Sequence, residues 1–434
     1  MRRGFSVVAA LLALLSVTKP SAQPAEHSAL FEALKPGLFT VEVVDRVSNN
    51  KNAQGSAFLI DERGTMATNY HVVSEFVHHP ERYTLRWRDS TGETGGLAVV
   101  GLDVVHDLAL VRRDVPDPDD ASHAFELAQG DPVMGSTVLA LGNPFDIGIS
   151  IVPGTYNGLL DNQFRKNIHF TGALNPGMSG GPAVDQDGRV IGINVAGAGN
   201  SVSFLVPVSN LRTLADEVDE VSGEPENNEQ DRLADMRERA VERIKAHQGR
   251  MIDQLLAGDW SLESFGPLMI PREIQTWITC SGGGREPDEE TPWRESHSNC
   301  TLNDRIFLSR TLDTGPLEII FGWYSSDRLN EFQFAKVFEQ NRFMPYNRTS
   351  DDDVTEFECR EQWVRLDTID DLPTKTSYCL RAYLDYPGLY DVLFIGRVLM
   401  NDSEAIHIHY TLAGVGRDDA LRFHRHMLGA LEWE

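Results

Sequence analysis

The sequence predicts a multidomain protein: an all-β barrel or sandwich domain, then a helical linker, then a C-terminal α+β domain that contains disulfides. Residues 38–210 contain many short apolar runs separated by Gly, Asn, Asp and Pro, a spacing typical of β-barrels and sandwiches. A helical periodicity follows that region, and all four cysteines lie after residue 263. The length of 434 residues allows two to three domains with sizeable cores.

Charge and composition exclude several classes of protein. Acidic residues outnumber basic ones 65 to 39, which gives a net charge of −26. Nucleic acids and anionic membrane surfaces bind clustered positive charge, so neither is expected as the main partner. The hydrophobic fraction of 41% is ordinary for a globular chain. The long apolar run lies at the N-terminus, so no internal segment is expected to span a membrane.

Residues 1–25 are predicted to be a signal peptide. Two basic residues precede an apolar stretch over residues 5–17, which is too short for a comfortable bilayer span. Ser21 and Ala22 offer a cleavage point, although Pro20 is a poor residue to have just before it. An uncleaved anchor is the alternative. Either way the chain is expected outside the cytoplasm, periplasmic or secreted, with no transmembrane segment once the signal is removed.

Residues 216–262 are interpreted as a linker that ends in a helix. Residues 216–230 hold seven acids and no base, which indicates a solvated segment. Residues 229–256 then show helical periodicity, with Gly258 as the stop. Six apolar residues share one stripe of this helix: Leu233, Met236, Ala240, Ile244, Met251 and Leu255. The stripe either docks the helix on the next domain or joins two copies of the chain.

Residues 263–434 are predicted to form the α+β domain. Four cysteines in an exported chain suggest two disulfides, with three connectivities to choose from. We favour Cys280–Cys300 and Cys359–Cys379, since each pair is 20 residues apart and closes one local loop. No metal is predicted, because the close cysteine pairs of a zinc site are missing. A loose similarity between the two cysteine segments suggests a duplicated unit.

Two further clusters in this domain are given structural roles. His407 and His409 alternate as in a strand and so share one face. We expect surface histidines, with a metal pair as the alternative. Residues 351–353 are three consecutive acids without the spacing of a calcium-binding loop, so a solvated loop is expected.

The β-rich region carries the candidate chemistry. Ser179 stands between glycines in the segment 177–182, where a tight turn exposes its hydroxyl and directs the N–H groups of Gly177 and Ser179 at one point. A serine nucleophile needs a base; His71 can supply it, and Asp107 can orient that histidine. A structural glycine-rich hairpin is the alternative. A phosphate-binding loop is disfavoured, because no Lys-Ser/Thr pair follows the glycines.

Several motifs within residues 38–210 match one family in their order and spacing. They are Gly55-Ser-Ala-Phe-Leu-Ile60, Thr68-Asn-Tyr-His-Val-Val73, Asp107-Leu-Ala-Leu110, Ala140-Leu-Gly-Asn-Pro-Phe145, Asn175-Pro-Gly-Met-Ser-Gly-Gly-Pro182, Val190-Ile-Gly-Ile-Asn194 and Phe204-Leu-Val-Pro207. The region resembles the protease domain of HtrA-type (DegP-like) chymotrypsin-fold serine peptidases. This resemblance implies two β-barrels within residues 26–215, with His71, Asp107 and Ser179 as a triad in the cleft between them. It selects Asp107 over Asp103, and it implies no cofactor.

The same resemblance implies an activity and a substrate class. The chain is expected to be an exported serine endopeptidase that cleaves unfolded or extended polypeptides in envelope protein quality control. Four residues are expected to bind substrate: Leu174, Ile193, Asn194 and Val195. No acid is near them, so small or medium aliphatic side chains are expected at the cleaved position. Homo-oligomers occur in the family, and the sequence leaves the oligomeric state open here.

Three residues depart from the family pattern. Met178 replaces an asparagine, Thr171 an aspartate and Ala57 a glycine. Met178 cannot pair with a newly released N-terminus, and it predicts an oxyanion loop held differently, or poorly, until something binds. The alternative function is therefore a proteolytically weak or inactive binding or chaperone-like protein, which uses this fold and the C-terminal domain to recognise partners.

Overall fold

The computed structural model describes residues 23–199, 202–221, 228–339, 347–365 and 372–433. The predicted signal peptide lies outside the described residues, apart from residues 23–25, which begin a helix. The described helices are α1 (Gln23–Leu34), α2 (Tyr70–His78), α3 (Asp120–His123), α4 (Val208–Val221), α5 (Glu229–Ala257), α6 (Glu331–Glu339) and α7 (Arg417–Gly429). None of these described helices is both long and apolar enough to cross a membrane.

Two closed antiparallel barrels, each with six described strands, make up the N-terminal half. The first contains β1 (Leu38–Asp45), β2 (Lys51–Leu59), β3 (Thr65–Thr68), β4 (Tyr83–Arg88), β5 (Thr94–Asp103) and β6 (Leu108–Arg113). The second contains β7 (Thr137–Gly142), β8 (Ser150–Leu159), β9 (Ile168–Phe170), β10 (Pro182–Val184), β11 (Val190–Gly199) and β12 (Val202–Pro207). Their strand orders are β1–β2–β3–β6–β5–β4 and β10–β11–β12–β9–β8–β7. The predicted double β-barrel, the chymotrypsin fold, is confirmed.

One apolar layer joins the two barrels. Phe58 and Leu110 of the first barrel are buried in the same cluster as Leu141 and Ile193 of the second. Because each barrel is closed, its strands have no exposed edge. The loops that border the apolar layer between the barrels can therefore carry functional residues. The candidate residues lie on such segments, which follow β3, β5 and β9.

Helix α5 begins at the predicted residue and ends one residue beyond the prediction. Its start is capped by Asn228, whose side chain accepts from Asp231 N. The N-terminal half of the predicted stripe packs with the first barrel, as Ile244 shows, and the C-terminal half packs with the C-terminal sheet, as Leu255 shows. The docking alternative therefore describes this helix, which joins two cores.

The acidic segment is partly helical, and Asp216, Glu217, Asp219 and Glu220 are exposed. Residues 216–221 continue α4, and residues 222–227 lie outside the described residues. Glu217 of α4 bonds Arg243 of α5, whose guanidinium also lies 3.1 Å from Asp103. One acid of the segment, Glu217, is thus paired with a base of a later helix, which the charges of the segment alone do not reveal.

The C-terminal region is β-rich. Its described strands are β13 (Ser261–Phe265), β14 (Leu268–Glu273), β15 (Thr279–Arg285), β16 (Arg294–Leu302), β17 (Ile306–Phe307), β18 (Asp313–Thr314), β19 (Leu317–Ser325), β20 (Glu358–Arg365), β21 (Pro373–Ala382), β22 (Tyr390–Asn401), β23 (Glu404–Val415) and β24 (Glu432–Trp433). Seven of these described strands form one antiparallel sheet in the order β15–β16–β19–β23–β22–β21–β20. Helices α5 and α7 pack on one face of it.

The structure contains the disulfides Cys280–Cys300 and Cys359–Cys379. Each joins directly opposed residues of a hairpin, β15–β16 or β20–β21, at one edge of the sheet. A further strand, β19 or β22, lies beside each hairpin. The duplicated unit stays a prediction.

The two strand histidines are not on the surface, so that expectation is wrong. His407 and His409 are each 1% exposed, and they lie on β23, the central strand of the sheet, which has a neighbouring strand on each side. Burial lowers the pKa of His409 to about 4. Among the described residues, no three or more His, Cys, Asp or Glu side chains form a group that could hold a metal ion.

Candidate active site

The candidate residues from both barrels meet in one cavity. It has a volume of about 680 Å³ and is lined by His71, Asp107 and Ser179, among others. His71 is in the first turn of α2, Asp107 in the turn between β5 and β6, and Ser179 in the loop between β9 and β10. The cleft between the barrels therefore brings together three segments that are distant in the sequence.

The Asp107 carboxylate accepts hydrogen bonds from both the backbone and the ring of His71. The backbone N–H of His71 donates to Asp107 Oδ1 (2.9 Å), and ring Nδ1 donates to Oδ2 (2.6 Å). Asp107 has a φ of +57°, a left-handed conformation that aspartate adopts more readily than most residues. Burial favours a lower pKa for His71, but the charge and hydrogen bond of Asp107 outweigh it and raise the pKa. The ring is thus oriented with Nε2 available to another partner.

Asp103, the other candidate aspartate, belongs to a second pair. Its Oδ2 accepts from His106 Nδ1 (2.7 Å) and lies 3.1 Å from Arg243. Burial alone favours a higher pKa for Asp103, but the hydrogen bond and charge of His106, with Arg243, lower it. Asp107, not Asp103, is therefore the carboxylate that contacts His71.

The loop around Ser179 presents two backbone donors. In the described structure, neither Gly177 N nor Ser179 N donates to a protein acceptor. Gly177 has a φ of +97°, and a Cβ there would lie 2.4 Å from Asn143 O, so this turn requires glycine. The Ser179 hydroxyl donates to the carbonyl of Val195 (2.6 Å) rather than to His71. The loop therefore has two N–H groups of the kind that can bind an anion, and the Ser179 hydroxyl does not bond His71.

Contacts from both barrels fix this loop. Ser56 Oγ of the first barrel donates to Gly177 O (2.7 Å), and Ser56 N donates to Ser179 O (2.7 Å). From the second barrel, Asn194 Nδ2 donates to Met178 O (3.3 Å). These contacts use carbonyls of the loop and leave the amides of Gly177 and Ser179 without a protein acceptor in the described structure.

Met178 is an anchor of the loop, which differs from the expectation of a poorly held loop. Its side chain is 0% exposed and packs in the apolar core of the second barrel. The other two departures are also accommodated: Thr171 Oγ1 accepts from Thr155 N (3.1 Å), and Ala57 is buried in the core of the first barrel. None of the three disrupts the barrels.

Residues 55–193 match the family model of the trypsin-like peptidase domain. The N-terminal half of this chain is a trypsin-like peptidase domain. Protease Do-like 1, chloroplastic, of Arabidopsis thaliana is 32% identical over 199 residues, covering 43% of this chain and 43% of that protein. The probable periplasmic serine endoprotease DegP-like of Brucella suis is 34% identical over 178 residues, covering 38% of this chain and 33% of that protein.

The chain spans less than half the length of these two curated relatives. A crystal structure of the serine endoprotease from Yersinia pestis aligns with a TM-score of 0.38 at 19% identity, covering 47% of this chain and 69% of that one. The sequence similarity to the two curated relatives lies in the N-terminal half of this chain.

The predicted substrate residues of the peptidase domain divide into two groups. Leu174 and Val195 line the cavity. Ile193 and Asn194 are 0% exposed. The first lies in the layer between the barrels, and the Asn194 amide donates to Leu141 O (2.8 Å). The side chains of these two residues therefore do not line the cavity, because barrel packing already uses them.

The peptidase cleft also contains residues that the sequence reasoning missed. Arg305, Phe307 and Arg310 line the cavity, although they belong to the C-terminal region. No local pattern around them predicts a place beside His71, since the contact depends on how the two halves of the chain pack. Arg165 and His106 also line the cavity.

Proposed function

We propose that residues 26–215 form a serine endopeptidase domain that hydrolyses peptide bonds in polypeptides. The observation that supports it best is the arrangement of His71, its partner Asp107 and Ser179 in one cavity beside two backbone N–H groups. Sequence similarity to serine endoproteases, at about one-third identity, agrees with this proposal. Residues 216–262 and 263–434 are proposed as a connecting segment and a C-terminal domain.

The proposed reaction begins when Ser179 Oγ leaves Val195 O and attacks the carbonyl carbon of the peptide bond. His71 Nε2 takes the hydroxyl proton, and Asp107 stabilises the imidazolium. The N–H groups of Gly177 and Ser179 donate to the oxyanion that develops. The C–N bond breaks as His71 returns the proton to the leaving amine. A water then repeats the sequence on the acyl-enzyme and releases the acid.

Proposed substrates are polypeptides in an extended conformation. Leu174 and Val195 are apolar residues of the cavity lining, which supports a small or medium aliphatic residue at the cleaved position. The two disulfides are consistent with an oxidising compartment. We therefore propose a periplasmic or secreted protein with a role in envelope protein quality control.

One observation favours the second candidate, a binding or chaperone-like protein with little turnover. The bond from Ser179 Oγ to Val195 O (2.6 Å) keeps the hydroxyl from the base and occupies a carbonyl of the strand that would pair with substrate. The sequence suggested this candidate because Met178 was expected to leave the oxyanion loop poorly held. The structure does not support that reason, because the Met178 side chain is buried in a barrel core.

The test is covalent labelling followed by cleavage. The full chain, Ser179→Ala and the control Ser90→Ala, an exposed serine, are treated with a fluorophosphonate probe and then incubated with unfolded casein. We expect labelling and cleavage by the wild type and the control, and neither by Ser179→Ala. A folded wild type that neither labels nor cleaves would refute the peptidase proposal, and casein binding that survives in Ser179→Ala would support the second candidate.

A further inference from the structure

A short hairpin from the C-terminal region lies against the cleft. We call residues 304–314, which include β17 and β18, the docked hairpin. The ring of Phe307 in this hairpin lies 6.1 Å from the ring of His71, at 73°, and 6.2 Å from that of Tyr70. It lines the same cavity as Ser179. The C-terminal region thus supplies part of the wall beside the proposed base.

Helix α2 holds the middle of the docked hairpin. Tyr70 donates its hydroxyl proton to Leu308 O (2.9 Å), and His78 Nε2 lies 3.2 Å from the same carbonyl. Arg310 Nε lies 3.3 Å from the carboxylate of Glu75. Because α2 also carries His71, these contacts fix the hairpin relative to the imidazole.

The second barrel holds the start of the docked hairpin. Arg165 Nε lies 3.2 Å from Asp304 Oδ1, and its Nη2 donates to Arg305 O (2.7 Å). Ile306 and Leu312 are buried in the cluster that fills the first barrel. Contacts to both barrels and a shared core make this segment a built wall of the cleft.

An extended peptide that pairs with β11 turns successive side chains to opposite sides. With the side chain at the cleaved position against Leu174 and Val195, the preceding side chain faces His71 and Phe307. We infer that Phe307 determines specificity for that preceding side chain and selects small ones. This inference rests on the proposed peptidase function. The Phe307 ring, 6.1 Å from the imidazole ring, occupies space beside His71 that a large side chain would need.

The experiment compares cleavage-site profiles of the full chain and three variants. Phe307→Ala enlarges the site, Phe307→Leu changes its shape with less loss of volume, and Phe332→Ala is the control, since Phe332 is 79% exposed. Each protein digests the same pool of denatured peptides, and mass spectrometry identifies the cleaved bonds. We expect Phe307→Ala to raise kcat/KM for large relative to small side chains at the preceding position by about tenfold. Phe307→Leu should change this ratio of kcat/KM values less, and the Phe332→Ala control should leave it unchanged.

The outcomes separate this inference from the proposed function. An unchanged preference at the preceding position, with cleavage retained, overturns the role of Phe307. Loss of both labelling and cleavage in both Phe307 variants also overturns it, because the residue would then support His71 rather than select substrate. A wild type that neither labels with fluorophosphonate nor cleaves refutes the peptidase itself, and this inference falls with it.

Discussion

Met178→Asn restores the residue that the family pattern has at this position, and we expect it to destabilise the protein. Met178 is 0% exposed in the apolar core of the second barrel. Truncating a buried methionine costs about 2–5 kcal/mol, and a buried amide without a partner costs about 1–3 kcal/mol. The two lower limits together give a loss of about 3 kcal/mol in the free energy of unfolding.

Guanidinium unfolding of the full chain, followed by circular dichroism, measures this loss. Met134→Asn is the matched control, because Met134 is 70% exposed and a surface substitution changes stability by about 0.5 kcal/mol or less. A loss below about 1 kcal/mol for Met178→Asn would refute the reasoning, since it would mean that this core does not depend on the methionine. Labelling of the folded fraction would then show whether the oxyanion loop had also changed.

Three other predictions follow from the site and from the disulfides. The raised pKa of His71 keeps the ring protonated to a higher pH. The apparent pKa of the acid limb in the pH profile of kcat/KM should therefore lie above the ordinary histidine value of about 6.5, and an apparent pKa below that value would contradict the prediction. Gly177→Ala brings a Cβ to 2.4 Å from Asn143 O, and displacing one oxyanion donor should lower kcat about 100-fold; wild-type kcat would exclude this. Replacing Cys359 and Cys379 with serine opens a loop with a separation of 20 residues and should lower the free energy of unfolding by about 3 kcal/mol. Denaturant unfolding measures this loss, and fluorophosphonate labelling is the control for the active site. An unchanged denaturant midpoint would count against the prediction.

The sequence was most informative where local pattern and chemistry agree. Short apolar runs between turn residues predicted an all-β region where the structure has the two barrels, and the six-residue stripe predicted α5 almost to its ends. The family resemblance, in which the triad aspartate directly precedes Leu-Ala-Leu, identified Asp107 as the carboxylate that contacts His71. The strand and helix inferences depend on residues close together in the chain, where periodicity and turn chemistry act directly.

Inferences failed where distant segments decide the environment. Alternation correctly put His407 and His409 on one face, but it could not show that β23 lies at the centre of the sheet and that both rings are buried. Met178 was interpreted by comparison with a family pattern, whereas its role depends on the barrel core around it. The acidic count over residues 216–230 likewise omitted Arg243, which comes from the next helix.

The same reasoning explains why the C-terminal region cannot be treated as an appendage of the peptidase domain. One apolar cluster contains the first barrel, Ile244 of α5 and Leu308 of the docked hairpin, so apolar surface of the barrel is buried by residues from the other half of the chain. The hydrophobic effect makes that burial a stabilising contribution to both halves. Since Tyr70, next to His71, donates to Leu308 O, the packing of the C-terminal region and the geometry of the proposed base are linked by direct contact. Substrate selection and stability are therefore expected to depend on the same interface.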